Sequence, residues 1–86
     1  MDRFEQKVTR VLKRHFKGAQ VQLDVLPEDG RYTGFVIWPG FSRKKDVMAR
    51  QNSLWKVLDS ELTKPERARI ITFFATTPAE MAMSYD

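Results

Sequence analysis

The stretch best suited to binding chemistry is a run of three cations at the start of a helix: Arg43, Lys44 and Lys45. Cations in the first turn of a helix are unfavourable, because the unpaired N–H groups there already carry partial positive charge. If Ser42 is the N-cap, the cations and free N–H groups would hold a phosphate, and Phe41 would stack on a base. If Asp46 is the N-cap, the cations lie in a solvated loop and need no ligand. The sequence leaves both alternatives open.

Groups that could catalyse a reaction are sparse. The chain has no cysteine, which excludes disulfides and thiol nucleophiles contributed by this sequence. His15, the one histidine, falls in the apolar face of a helix, so we expect a buried or half-buried ring with one hydrogen bond. No serine, threonine or carboxylate pair lies in a recognisable catalytic pattern, and the glycines form no phosphate-binding loop. We therefore expect no enzyme, no metal site and no cofactor.

Length and composition indicate one domain spanning residues 1–86. The chain has 86 residues, 42% of them hydrophobic, with a net charge of +4. A moderate basic excess is compatible with binding a polyanion, although many domains without such a partner share it. No apolar run approaches the ~20 residues of a membrane span, and the N-terminal residues lack the apolar core of a signal peptide. We expect a cytoplasmic protein with no membrane contact.

The periodicity of apolar residues predicts two long helices and three strands. The first helix covers about residues 3–17, and Arg3, Lys7, Arg10 and Arg14 form a basic stripe on it. Strict alternation over residues 20–25 and a β-branched, aromatic run over 32–38 flank a turn and predict a hairpin. The second helix runs from residue 43 or 46 to 62, and Gln51 on its apolar side needs hydrogen-bond partners. A third strand spans about 68–77, and Thr77, Pro78 and Glu80 start a short terminal helix.

The order of these elements predicts an α+β fold of the type αββαβ(α). The strand–helix–strand crossover makes the second and third strands parallel, whereas the hairpin makes the first two antiparallel. We expect a mixed three-stranded sheet with both long helices packed on one face. The third strand is nearly continuous in β-prone residues, which predicts that it is the best buried.

The layout and the motifs of residues 41–81 resemble the BolA family, whose fold is similar to the class II KH domain. Its phenylalanine-led loop corresponds to Phe41, and its Arg-His-Arg helix entry to residues 50–52, which are Arg-Gln-Asn here. The Leu-x-x-Glu-Leu helix end corresponds to residues 58–62, and the Thr-Pro-x-Glu motif to 77–80. The resemblance implies a regulatory role linked to nucleic acid, or sharing of an iron–sulfur cluster with a monothiol glutaredoxin.

This chain departs from the family at both histidines. The helix-entry histidine is Gln51, and the histidine implied in cluster sharing falls at Arg69, which cannot ligate a metal because it stays protonated. The Gly-x-x-Gly signature of KH domains is also missing. The cluster role is therefore not expected, whereas a role with nucleic acid agrees with an arginine in place of a histidine.

Two functional hypotheses follow. The first is a non-enzymatic domain that binds DNA or RNA, with transcription regulation as the wider role. Its contacts would come from the basic loop and nearby side chains: Phe41, Arg43, Lys44, Lys45, Arg50 and Arg69. The alternative is an adaptor that docks on a protein partner such as a monothiol glutaredoxin without ligating metal. Exposed aromatic side chains on the open face of the sheet would favour the adaptor.

Overall fold

The computed structural model describes residues 3–43 and 46–83. Its elements follow in the order α1 (Arg3–His15), β1 (Gln20–Val25), β2 (Tyr32–Ile37), a 3₁₀ helix (Pro39–Arg43), α2 (Val47–Glu61), α3 (Lys64–Ala68), β3 (Ile70–Thr76) and α4 (Pro78–Met83). The predicted α+β architecture is confirmed, with an additional 3₁₀ helix before α2.

Helix α1 forms because its apolar residues recur at helical spacing. Phe4, Val8 and Leu12 are buried along one side. The last turn carries basic side chains, which interact favourably with the negative end of the helix dipole. The helix ends two residues before the predicted end. Gly18 reverses the chain at φ +87°, a backbone conformation that glycine adopts without steric cost.

The sheet is mixed and has the strand order β1-β2-β3. Strands β1 and β2 are antiparallel, and β2 and β3 are parallel, as the predicted crossover requires. In the turn between β1 and β2, Gly30 has φ +73° and donates its N–H to the carbonyl of Leu26 at 2.9 Å. The pairing of β2 with β3 shifts register between Tyr32 and Thr33 and is regular from Thr33 to Ile37. Over the regular part, each side chain is assigned to one of the two faces.

The hydrophobic core lies between the sheet and the two long helices. It joins side chains from α1, α2 and the inner face of the sheet: Val8, Leu12, Val36, Leu54, Leu58 and Phe73. Gly34 lies at the tightest point, since a Cβ there would stand 2.5 Å from the carbonyl oxygen of Gln22 and 2.6 Å from the ring of Phe73. Both helices therefore pack on one face, as predicted.

The burial of β3 differs from the prediction. Its residues alternate between buried and accessible, and Ile71 and Phe74 are 40% and 49% exposed. The sequence run is apolar on both faces, but the helices cover only one of them. The prediction that β3 is the best-buried strand is therefore wrong.

Short capped helices flank β3. At α3, the Thr63 side chain accepts from the N–H of Glu66, and the Glu66 carboxylate accepts from the N–H of Thr63. The same reciprocal pair joins Thr77 and Glu80 at the start of α4. Each pair satisfies N–H groups that the helix itself leaves unbonded. No helix within residues 3–43 and 46–83 is long and apolar enough to cross a bilayer.

Candidate functional site

The start of α2 is fixed by Asp46. Its carboxylate accepts a hydrogen bond from the N–H of Met48 at 2.9 Å, and α2 begins at Val47. The alternative in which Ser42 caps the helix is therefore wrong. Arg43 is exposed at the end of the 3₁₀ helix, before α2 rather than in its first turn. The other two predicted cations, Lys44 and Lys45, lie outside the described residues.

Phe41 is part of the core. It is 1% exposed, and its ring centroid lies 5.3 Å from that of Phe16 and 5.1 Å from that of Trp38. A base cannot stack on a ring that is already enclosed by two others. The structure therefore contradicts the predicted stacking role of Phe41. Its side chain instead packs the 3₁₀ helix against the end of α1.

Arg50 is buried and paired. It is 7% exposed, and its Nη1 donates to Oε1 of Glu80 at 2.7 Å. This guanidinium, together with the N–H of Thr77, holds the pKa of Glu80 below its usual value. A nucleic acid could not reach Arg50 without displacing Glu80, which corrects its assignment as a surface contact. The pair ties α2 to α4.

Arg69 is exposed but lies away from the basic loop. Its guanidinium is 4.2 Å from the ring centroid of Phe4 and 5.5 Å from that of Tyr32. The carbonyl of Arg69 accepts a hydrogen bond from the N–H of Tyr32, the first residue of β2. The basic loop begins at the opposite end of β2, after Ile37. Six residues of strand span about 17 Å at ~3.3 Å per residue. The predicted grouping of Arg69 with Arg43 is therefore wrong.

The basic stripe predicted on α1 is divided by ion pairs. Lys7 Nζ lies 2.7 Å from Glu66 Oε1, and Arg14 Nη2 lies 2.8 Å from Glu61 Oε2. Hydrogen bonds from Lys7 and from the N–H of Thr63 lower the pKa of Glu66 to about 2, and hydrogen bonds from His15 and Arg14 lower that of Glu61. These two cations of the stripe are therefore compensated by acids of α2 and α3 and add little to the attraction of a polyanion.

His15 is more accessible than its place on the helical wheel predicts. Its side chain is 37% exposed, and Nε2 lies 3.1 Å from Oε1 of Glu61. The expected single hydrogen bond is present, and the ring is half-buried, which is one of the two expected degrees of burial. It is not fully buried because α1 ends at this residue.

Four exposed cations belong to the second half of α1, the turn after it and the 3₁₀ helix, and we call them the basic surface: Arg10, Lys13, Lys17 and Arg43. All four are exposed, and none has an ion-pair partner among the residues that the structure describes. A spacing of three residues places Arg10 and Lys13 on the same side of α1. Lys17 follows in the turn after the helix. Sequence reasoning did not include Lys13 and Lys17 among the candidate site residues, because only tertiary contacts bring the end of α1 to the loop.

Trp38 makes that tertiary contact. Its Nε1 donates to the carbonyl of Lys17 at 2.8 Å, and its ring centroid lies 5.2 Å from that of Phe16. A Cβ on Gly40 would meet the indole ring at 2.4 Å, so the loop backbone lies against the ring. The aromatic cluster of Phe16, Trp38 and Phe41 therefore fixes the end of α1 beside the 3₁₀ helix that ends at Arg43.

The face of the sheet that α1 and α2 leave uncovered carries an aromatic pair. Phe35 and Phe74 are register partners on β2 and β3, and their ring centroids are 5.4 Å apart. Gln22 pairs with Phe35, and Thr33 and Thr72 pair with each other on the same face, where Asp24 opposite Thr33 supplies a carboxylate. We call Phe35 and Phe74 the open-face pair. It is the feature that the adaptor hypothesis requires.

The residues present do not fit a metal cluster. The guanidinium of Arg69, where the resemblance implies a histidine, cannot act as a ligand because it stays protonated. It is also held against the ring of Phe4. Within residues 3–43 and 46–83, no three histidine, cysteine or acidic side chains gather where they could hold a metal ion.

Comparison with known proteins identifies the fold. No model of a protein family matches the sequence. No curated protein matches it either. Among solved structures, the crystal structure of a bol-like protein from Babesia bovis is similar, with a TM-score of 0.57 and 15% sequence identity over 94% of this chain and 92% of that chain. Together with the loop, helix and Thr-Pro-x-Glu motifs, this similarity shows that the chain has a BolA-like fold.

Proposed function

We propose that the protein is a non-enzymatic, cytoplasmic domain that binds nucleic acid through the basic surface. The observation that carries the proposal is the contact of Trp38 with Lys17, which holds the end of α1 beside the loop of Arg43. Lys44 and Lys45 follow Arg43 in the sequence and add two further cations to this part of the chain. A regulatory role in transcription is the wider function that this binding would serve.

The ion pairs of the described residues distinguish this site from several other cations. Five of these are compensated: Lys7, Arg14, Arg31, Arg50 and Arg67 each have an acid within 2.8 Å. The exposed cations Arg3, Lys56, Lys64 and Arg69 have no ion pair among the described residues, so the test below compares the site with two of them. The basic surface has no such acid, so its charge is available to phosphate groups. Binding through phosphates releases counterions and carries little sequence information, which predicts strong salt dependence and weak sequence preference.

The test compares two charge-reversal variants that have the same net charge. Lys17→Glu/Arg43→Glu reverses two members of the basic surface, whereas Lys56→Glu/Lys64→Glu reverses two exposed lysines of α2 and α3. Fluorescence anisotropy with labelled single-stranded DNA and RNA measures the affinity of each variant. We expect a loss of about tenfold or more for the first variant and a much smaller loss for the second, because phosphate contacts are local.

The outcomes are distinct. Equal losses in the two variants would mean that net charge alone attracts the probe and that the basic surface is not a site. Failure of the parent protein to bind either probe at low salt would refute nucleic-acid binding.

A second function is favoured by the open-face pair. Phe74 is 49% exposed beside Phe35, and an accessible aromatic pair of this kind is typical of a protein contact. The protein would then act as an adaptor that docks on a partner, with a monothiol glutaredoxin as the first probe. Calorimetric titration with the glutaredoxin should give salt-insensitive binding that Phe74→Ser abolishes. No heat of binding with the parent would exclude this partner.

A further inference from the structure

Strand β3 has the composition of a segment that pairs readily with other strands. Its sequence, IITFFAT, contains no charge, proline or glycine and consists of β-branched, aromatic and small residues. It is also an edge strand, because the sheet order is β1-β2-β3. An uncharged, strongly β-prone edge is the usual starting point for association between chains, so folded proteins protect such edges.

The hydrogen-bond pattern shows which groups of β3 face outward. The Trp38 N–H donates to the carbonyl of Thr76. The main-chain N–H and C=O groups of Thr76, Phe74 and Thr72 therefore point toward β2. The main-chain groups of the alternate residues, Phe73 and Ala75, therefore point to the free edge, where another strand would bind.

Gln51 occupies that edge with its side-chain amide. Its Nε2 donates to the carbonyl of Phe73 at 2.7 Å, and its Oε1 accepts from the N–H of Ala75 at 2.7 Å. This is the donor–acceptor pair that the peptide group of an added strand would offer. The amide is partly buried and comes from α2, so it is held in place by the packing of that helix.

We propose that Gln51 closes the outer edge of β3 and thereby prevents self-association of the protein through this strand. The two short bonds satisfy the edge over the centre of the strand, beside Phe74, which is 49% exposed. An incoming strand must first displace an amide that is tethered to α2. The common protective devices of charge, proline or glycine are missing from β3, which leaves this amide as the block at its centre. The role is independent of nucleic-acid binding.

The test replaces the amide while keeping the length of the side chain. Gln51→Met removes both hydrogen bonds, and Asn52→Met, at an exposed position of the same helix, controls for the added apolar surface. Sedimentation velocity is measured over a hundredfold concentration series, with circular dichroism to verify folding. We expect Gln51→Met to form larger species at about tenfold lower concentration than the parent. Adding Phe74→Lys should reverse this shift, because a charge beside the edge opposes strand pairing.

Two results would overturn the proposal. The first is a folded Gln51→Met variant whose association matches that of the parent and of Asn52→Met, since Gln51 would then only stabilise the fold. The second result comes from hydrogen exchange of the unmodified protein, so it can be obtained even if the variant does not fold. The Ala75 amide should exchange its hydrogen slowly, and exchange at the rate of an unstructured amide would show that the edge is open.

Discussion

Replacing Glu80 by glutamine tests whether Arg50 is a structural residue. The substitution keeps the shape of the side chain and its acceptor oxygen but removes the charge that compensates a guanidinium whose side chain is 8% exposed. Breaking a buried ion pair costs about 3–5 kcal/mol. Because the Glu80 side chain is 46% exposed and solvent screens the pair, we expect about 1–2 kcal/mol of destabilisation. For a domain of this size the melting temperature should fall by about 5–15 °C.

The matched control is Asp59→Asn, which removes the charge of an exposed pair. Arg67 and Asp59 are 2.8 Å apart, but their side chains are 34% and 60% exposed, so the change should cost about 0–1 kcal/mol. Urea and thermal denaturation measure both variants. If Glu80→Gln is no less stable than Asp59→Asn, the buried pair does not hold α2 to α4. If Glu80→Gln remains folded and gains more affinity for nucleic acid than Asp59→Asn, which removes the same charge, Arg50 is not merely structural.

Two other predictions concern the loop and the acid sensitivity of the fold. Gly40→Ala should destabilise the protein by about 1–3 kcal/mol and weaken nucleic-acid binding, because the new Cβ would meet the Trp38 ring at 2.4 Å. A variant with the stability and affinity of the parent would contradict this packing of the loop against Trp38. The pKa of Glu66 falls from 4.5 unfolded to about 2 folded, so the ionised carboxylate stabilises the fold above about pH 4.5, and this stabilisation is lost as the pH falls toward 2. Glu66→Gln should therefore flatten the pH dependence of urea unfolding over that range, whereas an unchanged profile would exclude the Lys7 pair as its cause.

Most of the fold could be predicted from the sequence because its signals are local. The spacing of Phe4, Val8 and Leu12 marks α1, and the alternation of residues 20–25 marks β1. The two-sided apolar pattern of β3 was ambiguous, since it also describes a strand buried on both faces. Which of its faces is covered is decided by the helices and not by the strand itself.

The site was predicted less well because it depends on tertiary pairing. Arg50 and Arg69 are cations in the sequence, but one is compensated by Glu80 and the other stacks on Phe4 at the far end of the sheet. Lys17 is an ordinary helix-end lysine until Trp38 places it beside the loop. The choice between Ser42 and Asp46 as the cap also needed the structure, because both residue types cap helices equally well.

The salt dependence of nucleic-acid affinity tests the central claim most directly. The four described cations of the basic surface, with Lys44 and Lys45, predict about four to six phosphate contacts and a slope of log K against log salt of about −3 to −4 for a single strand. A titration of the unmodified protein with labelled single-stranded DNA and RNA between low and physiological salt gives this slope. A slope in that range supports phosphate binding by the basic surface, whereas a slope near zero, or no binding at low salt, contradicts it.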